Sequence, residues 1–144
     1  MHSSSYRQGV TYSIAQAATR SGLSIDTLRY YERIGLVEPP ARDAGGRRTY
    51  TDEDLAWLYF LTRLRTTGMP IRMMREYAQL RHLGVGTSAR RRQILVEHRT
   101  EVRERITELQ SSVETLDRKI QNYEQIERCL PQLAEQSTLI EEAS

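Results

Sequence analysis

From Ser88 to Leu130 the chain contains no Gly or Pro, and its apolar residues recur in alternating steps of four and three. Val102, Ile106, Leu109, Val113, Leu116, Ile120 and Tyr123 form a heptad seam, with Ile106, Val113 and Ile120 at a and the others at d. Continued outward, the pattern puts Leu95 and Leu130 at d and the polar Arg99 and Glu127 at a. A helix over residues 87–130, at about 1.5 Å per residue, runs roughly 65 Å, too far for the preceding residues to cover. Its stripe therefore requires a partner helix, most simply that of a second copy. β-branched a positions with Leu at d suit two strands but leave their orientation open. Arg99 and Glu127, each 14 residues from Val113, either pair across an antiparallel seam or face solvent where it ends.

Ahead of this stretch the pattern is broken into short pieces. Ser13 is placed to cap a helix with Ile14, Ala17 and Ala18 on one face, ended by Ser21-Gly22. Ser24 caps a second helix reaching about Ile34, with Gly35 as its stop. Between Val37 and Tyr50 the Gly45-Gly46 pair predicts a small β-hairpin. Thr51-Asp-Glu-Asp54 opens a third helix carrying Trp57, Leu58, Leu61 and Leu64 on one face and stopping at Gly68. Pro70 then starts a fourth, with Ile71, Met74 and Ala78 on one side, broken by Gly84-Val-Gly86. The pattern predicts a mainly α chain: a disordered tail over 1–11, a winged helix-turn-helix head over 12–83, a coiled-coil helix over 87–130, and a short tail over 131–144 after Pro131.

The 144 residues suffice for one domain and an appendage. No apolar run exceeds Leu55–Leu61, far short of the roughly 18 residues of a membrane span. The N-terminus lacks the features of a secretory signal, and the single Cys129 rules out an intrachain disulfide or a multi-thiolate metal site. A reducing cytoplasmic location fits. Residues 1–86 hold 12 Arg and 8 Asp+Glu, a net of +4, whereas 87–144 hold 9 Lys+Arg and 11 Asp+Glu, a net of −2. The basic excess lies in the head, and 20 of the 21 cations are Arg, whose planar fork suits phosphate and guanine.

Helix, Gly turn, helix is the form in which a second helix enters the DNA major groove. On that helix Asp26, Arg29, Tyr30 and Arg33 make a polar, basic stripe at i, i+3, i+4, i+7, opposite Ile25 and Leu28. Arg29 and Arg33 can bind guanine or phosphate and Tyr30 can reach phosphate. The Ser24 and Thr27 hydroxyls sit near the helix start, where backbone donors attract phosphate. Around the glycine pair, Arg42, Arg47 and Arg48 can follow a phosphate backbone.

Tyr12-Ser-Ile-Ala, Leu23-Ser-Ile-Asp-Thr-Leu-Arg-Tyr-Tyr-Glu-Arg-Ile-Gly-Leu36, Arg47-Arg-Thr-Tyr-Thr-Asp-Glu-Asp-Leu55 and Leu64-Arg-Thr-Thr-Gly-Met-Pro-Ile71 resemble the MerR family of transcription regulators. The resemblance covers about Val10 to Leu83, and the coiled coil resembles that family's dimerisation helix. It implies a homodimer through an antiparallel coiled coil. It also implies double-stranded promoter DNA with a pseudo-palindromic operator, a spacer that is bent and untwisted, and RNA polymerase as a partner at the promoter. By the same pattern, DNA contact falls on Ser13, Ser24, Thr27, Arg29, Tyr30, Tyr31, Arg47, Arg48 and Tyr50, although Tyr31 beside Leu28 and Tyr50 at a strand end fit the core equally well.

Metal- and redox-sensing members use several cysteines, and drug-binding members a separate C-terminal domain; neither pattern is present in this chain, so no metal or cofactor is expected. A small-molecule effector remains open. Cys129 beside Arg128, the pair His82 and His98, and the cluster Trp57, Tyr59, Phe60, Met73, Met74, Tyr77 are candidates, each weighed against plain surface or core packing. No Ser/His/Asp, Cys/His or phosphate-loop constellation suggests an enzyme. The competing reading is a coiled-coil interaction protein whose basic head binds a protein or RNA.

Overall fold

The computed structural model describes residues 9–143. Their order is β1 (Thr11–Ser13), α1 (Ile14–Ser21), α2 (Ile25–Arg33), β2 (Thr49–Thr51), α3 (Asp52–Thr66), α4 (Ile71–Leu83), a 3-10 turn (Val85–Thr87) and α5 (Ser88–Glu142). The chain is mainly helical, with a helix-turn-helix head and a long C-terminal helix.

Local chemistry accounts for the helix ends. Ser13 Oγ accepts from Gln16 N at 3.2 Å while Gln16 Oε1 accepts from Ser13 N at 2.9 Å, a reciprocal cap that satisfies two otherwise orphaned donors. Gly22, at φ 75°, ends α1 in the left-handed conformation a side chain resists, and its N–H reaches Ala18 O. Ser24 caps α2 by accepting from Thr27 N at 3.1 Å. Thr51 and Asp54 repeat the reciprocal cap at the start of α3.

The helices close on a core in which Ala17, Leu28, Leu58, Leu61 and Met74 are buried. A fully buried Leu contributes about 1.5–3 kcal/mol relative to an exposed one. Tyr31 and Tyr50 join this core at 4% and 2% exposure.

Four features depart from the sequence pattern. Thr11–Ser13 pairs antiparallel with Thr49–Thr51, Tyr12 opposite Tyr50, so Thr11 belongs to a strand rather than to a tail; residues 1–8 of the expected tail lie outside the described residues. Three-residue strands carry too little alternation to be read from sequence. The expected hairpin is reduced to a single bridge, Arg42 opposite Arg48.

The head also reaches further than residue 83. The two compact units divide between His98 and Arg99. Ile94 is buried and Leu95 half-buried against the head core, so Leu95, placed at d by extrapolation, packs in the head. Arg90 pairs with Glu76 at 2.8 Å and His98 Nε2 bonds Thr67 Oγ1 at 2.7 Å.

In the unit from Arg99 onward, α5 continues through Pro131 to Glu142. Proline removes a single backbone donor, and the Gln-Leu-Ala-Glu-Gln that follows is made of good helix formers, so the expected stop is passed. Seam residues Ile106 to Tyr123 are 48–64% exposed and form an apolar stripe. No helix among the described residues is long and apolar enough to cross a membrane.

Candidate nucleic-acid interface

α2 turns Leu28 and Tyr31 into the core, which by helical periodicity leaves Asp26, Arg29, Tyr30 and Arg33 exposed together. The Arg33 guanidinium lies 5.7 Å from the centre of the Tyr30 ring, a cation–π contact that orders both side chains. At the helix start the Ser24 and Thr27 hydroxyls are 2.8 Å apart, Ser24 exposed and Thr27 half-buried. Ser13 is exposed at the start of α1.

The wing is built on Asp43. Its Oδ1 accepts from Gly45 N at 2.9 Å and Arg47 N at 3.0 Å, and Gly46 takes φ 77° to close the turn. Thr49 N to Ala41 O and Asp43 N to Arg47 O complete it. Arg42 Nη1 donates to Gly46 O at 2.7 Å, bracing the tip, while Arg47 is exposed and has no side-chain partner among the described residues. Arg48 is different: its Nε lies 2.9 Å from Glu32 Oε2 of α2, with the two side chains only 28% and 18% exposed.

Tyr31 and Tyr50, expected among the DNA contacts, lie in the core. Each ring is almost wholly buried, and burial is the main cause of raising both phenols above their ordinary value. Tyr50 also feels the Glu32 carboxylate, which raises it, and Arg48 and Arg29, which lower it, so wing and recognition helix share one electrostatic neighbourhood. Tyr12, absent from the expected site, donates to Asp52 Oδ1 at 2.8 Å, which raises its pKa, and carries Arg20 on its ring at 4.5 Å.

The other candidates fall apart as sites. Trp57 and Tyr77 stack at 6.0 Å and Phe60 packs 5.6 Å from Tyr77, forming core, while Tyr59 turns outward under Arg63. Of the cluster, Trp57 alone borders the cleft of about 940 Å³ between the end of α2, the start of α3 and α4. Its faces there are occupied by Tyr77 and by Arg81, 4.3 Å from the ring, and its Nε1 donates to Leu36 O. His82 bonds Glu38 and His98 bonds Thr67, so the two histidines do not converge. Among the described residues no group of three or more His, Cys, Asp or Glu is arranged around a metal position. Cys129 is exposed.

Two family descriptions match this architecture: "MerR HTH family regulatory protein" over residues 12–80 and "MerR, DNA binding" over residues 55–119. The chain belongs to the MerR family. It is 33% identical over 135 residues to an HTH-type transcriptional regulator of Haemophilus influenzae, covering 89% of this chain and 100% of the relative. It is similar to the crystal structure of a MerR family transcriptional regulator from Listeria monocytogenes, at 36% identity and TM-score 0.78 over 92% of this chain and 99% of that one. It is also similar to HiNmlR, a MerR family regulator lacking the sensor domain, whose structure was solved bound to promoter DNA, at 34% identity and TM-score 0.74 over 81% of this chain and 92% of HiNmlR. The protein is thus a MerR-family DNA-binding transcription regulator, and its relatives are regulators rather than enzymes.

Proposed function

We propose that this MerR regulator acts as a homodimer that binds a pseudo-palindromic operator in double-stranded promoter DNA and bends and untwists the spacer, so that RNA polymerase meets realigned promoter elements. The observation that carries this reading is the exposed Arg29-Tyr30-Arg33 stripe standing beside an arginine wing, in a chain similar over nine-tenths of HiNmlR's length to that promoter-bound regulator. α2 enters the major groove, with Arg29 and Arg33 reading guanine or phosphate. Ser13, Ser24, Thr27 and Tyr30 serve phosphates, and Arg42, Arg47 and Arg48 carry the wing along the backbone.

Two heads come together because the seam of Val102, Ile106, Leu109, Val113, Leu116, Ile120 and Tyr123, exposed from Ile106 onward, buries itself against a second copy, antiparallel as in the family. Deforming a site of this length costs several kcal/mol on order-of-magnitude elastic estimates, which two basic heads can supply. The chain carries out no catalysis in this reading and works in the cytoplasm. Selection of bound sequences from a random duplex pool tests the reading. Enrichment of an inverted repeat is expected, and enrichment of no motif, or of single-stranded RNA over duplex in competition, would overturn it.

A further inference from the structure

Glu32 lies on the recognition helix but outside its exposed stripe, and Arg48 lies 16 positions away at the foot of the wing. The Glu32 Oε2 and Arg48 Nε atoms are both buried and sit 2.9 Å apart as an ion pair, and neither makes an aligned hydrogen bond among the described residues. A buried charge without its partner is costly, so each side chain fixes the other. Two residues on, Tyr50 is in the core and in β2, paired with Tyr12, which anchors the foot of the wing to the body. The bridge Arg42–Arg48 then carries that anchorage into the wing, where Arg42 braces Gly46 and Arg47 stands free at the tip.

We infer that Glu32 is a positioning residue for DNA recognition: by holding Arg48 it sets the wing against α2, and so sets where the wing cations meet the backbone relative to the bases read by the helix. This rests on the DNA-binding reading above. A surface carboxylate beside DNA has the opposite effect by charge alone, because removing it raises the local positive potential and strengthens binding to every duplex. The sign of the change therefore separates positioning from simple electrostatics.

The test uses the full chain, its selected duplex and a random duplex of equal length. Glu32→Gln should weaken binding to the selected duplex about tenfold, or about 1.4 kcal/mol, and leave the random duplex unchanged or bound more tightly. If Glu32 acts through Arg48, the double variant E32Q/R48Q should bind the selected duplex no more weakly than R48Q, since a shared contact makes the two costs non-additive. Tighter binding of both duplexes by E32Q, or fully additive costs, would overturn the proposal. Circular dichroism guards against a variant that fails to fold, and the thermal stabilities of the same four proteins give the coupling between Glu32 and Arg48 without DNA. Wild-type protein that prefers no duplex would refute the DNA reading itself, and the stability coupling would then still report whether the pair forms.

Discussion

Arg29 and Tyr31 stand two positions apart on one helix, yet one faces solvent and the other the core, and their roles divide accordingly. Arg29→Ala should cost about 1–3 kcal/mol and relax the base preference at one operator position if it reads a base. A fluorescence titration against operator variants checks this, and an unchanged preference would remove Arg29 from readout. Tyr31 and Tyr50 predict a pH effect instead. Both phenols are raised above 10.0 in the folded head, mainly by burial, so folding favours their neutral form. That contribution is complete below about pH 10 and is lost as pH rises through the raised values. Thermal melts between pH 9 and 11.5 should show the loss, and Tyr31→Phe with Tyr50→Phe should shrink it. The exposed stripe was legible because a 3.6-residue period alone sorts Asp26, Arg29, Tyr30 and Arg33 from Leu28. For the two tyrosines the sequence leaves contact and core open, since the family pattern marks a position as occupied by Tyr without saying which way the ring turns. A period of two would have warned of it in the wing: Arg48 and Tyr50 share a strand face, whereas Arg47 takes the other.

Among the elements, helix starts were the most readable feature, because a cap is a local chemical event. Ser13, Ser24 and Thr51 each accept from the backbone N–H three residues on. Ser24→Ala should cost about 1 kcal/mol by removing the cap of α2, measured as a fall in the midpoint of urea unfolding; an unchanged midpoint would contradict that role. Helix ends and strands were harder. The pairing of β1 with β2 joins residues nearly forty positions apart and rests on three residues a side, too few to show a period. Pro131 marks a break in the sequence pattern, but one lost bond does not end a helix whose next residues all favour it. The start of α5 misled for a different reason: Leu95 satisfies the heptad and the head core equally well on paper, and only the packing of Ile94 beside it decides which environment it has.

For the whole molecule, the sequence pattern carried the division into a basic head and a long acidic helix, and its exposed seam makes the dimer the central requirement. Leu109→Asp puts a charge at d in the middle of that seam and should give a folded monomer by sedimentation velocity, with loss of operator binding, since two heads are needed to span an inverted repeat. A folded variant that still sediments as a dimer would refute the seam. What the head does to DNA is most directly tested by the end-to-end distance of the selected duplex, labelled with a fluorophore at each end and titrated with wild-type protein. Energy transfer should rise on binding, with two protomers per duplex, as the spacer bends between the two heads. A saturated complex in which the duplex stays straight, or holds a single protomer, would contradict the account.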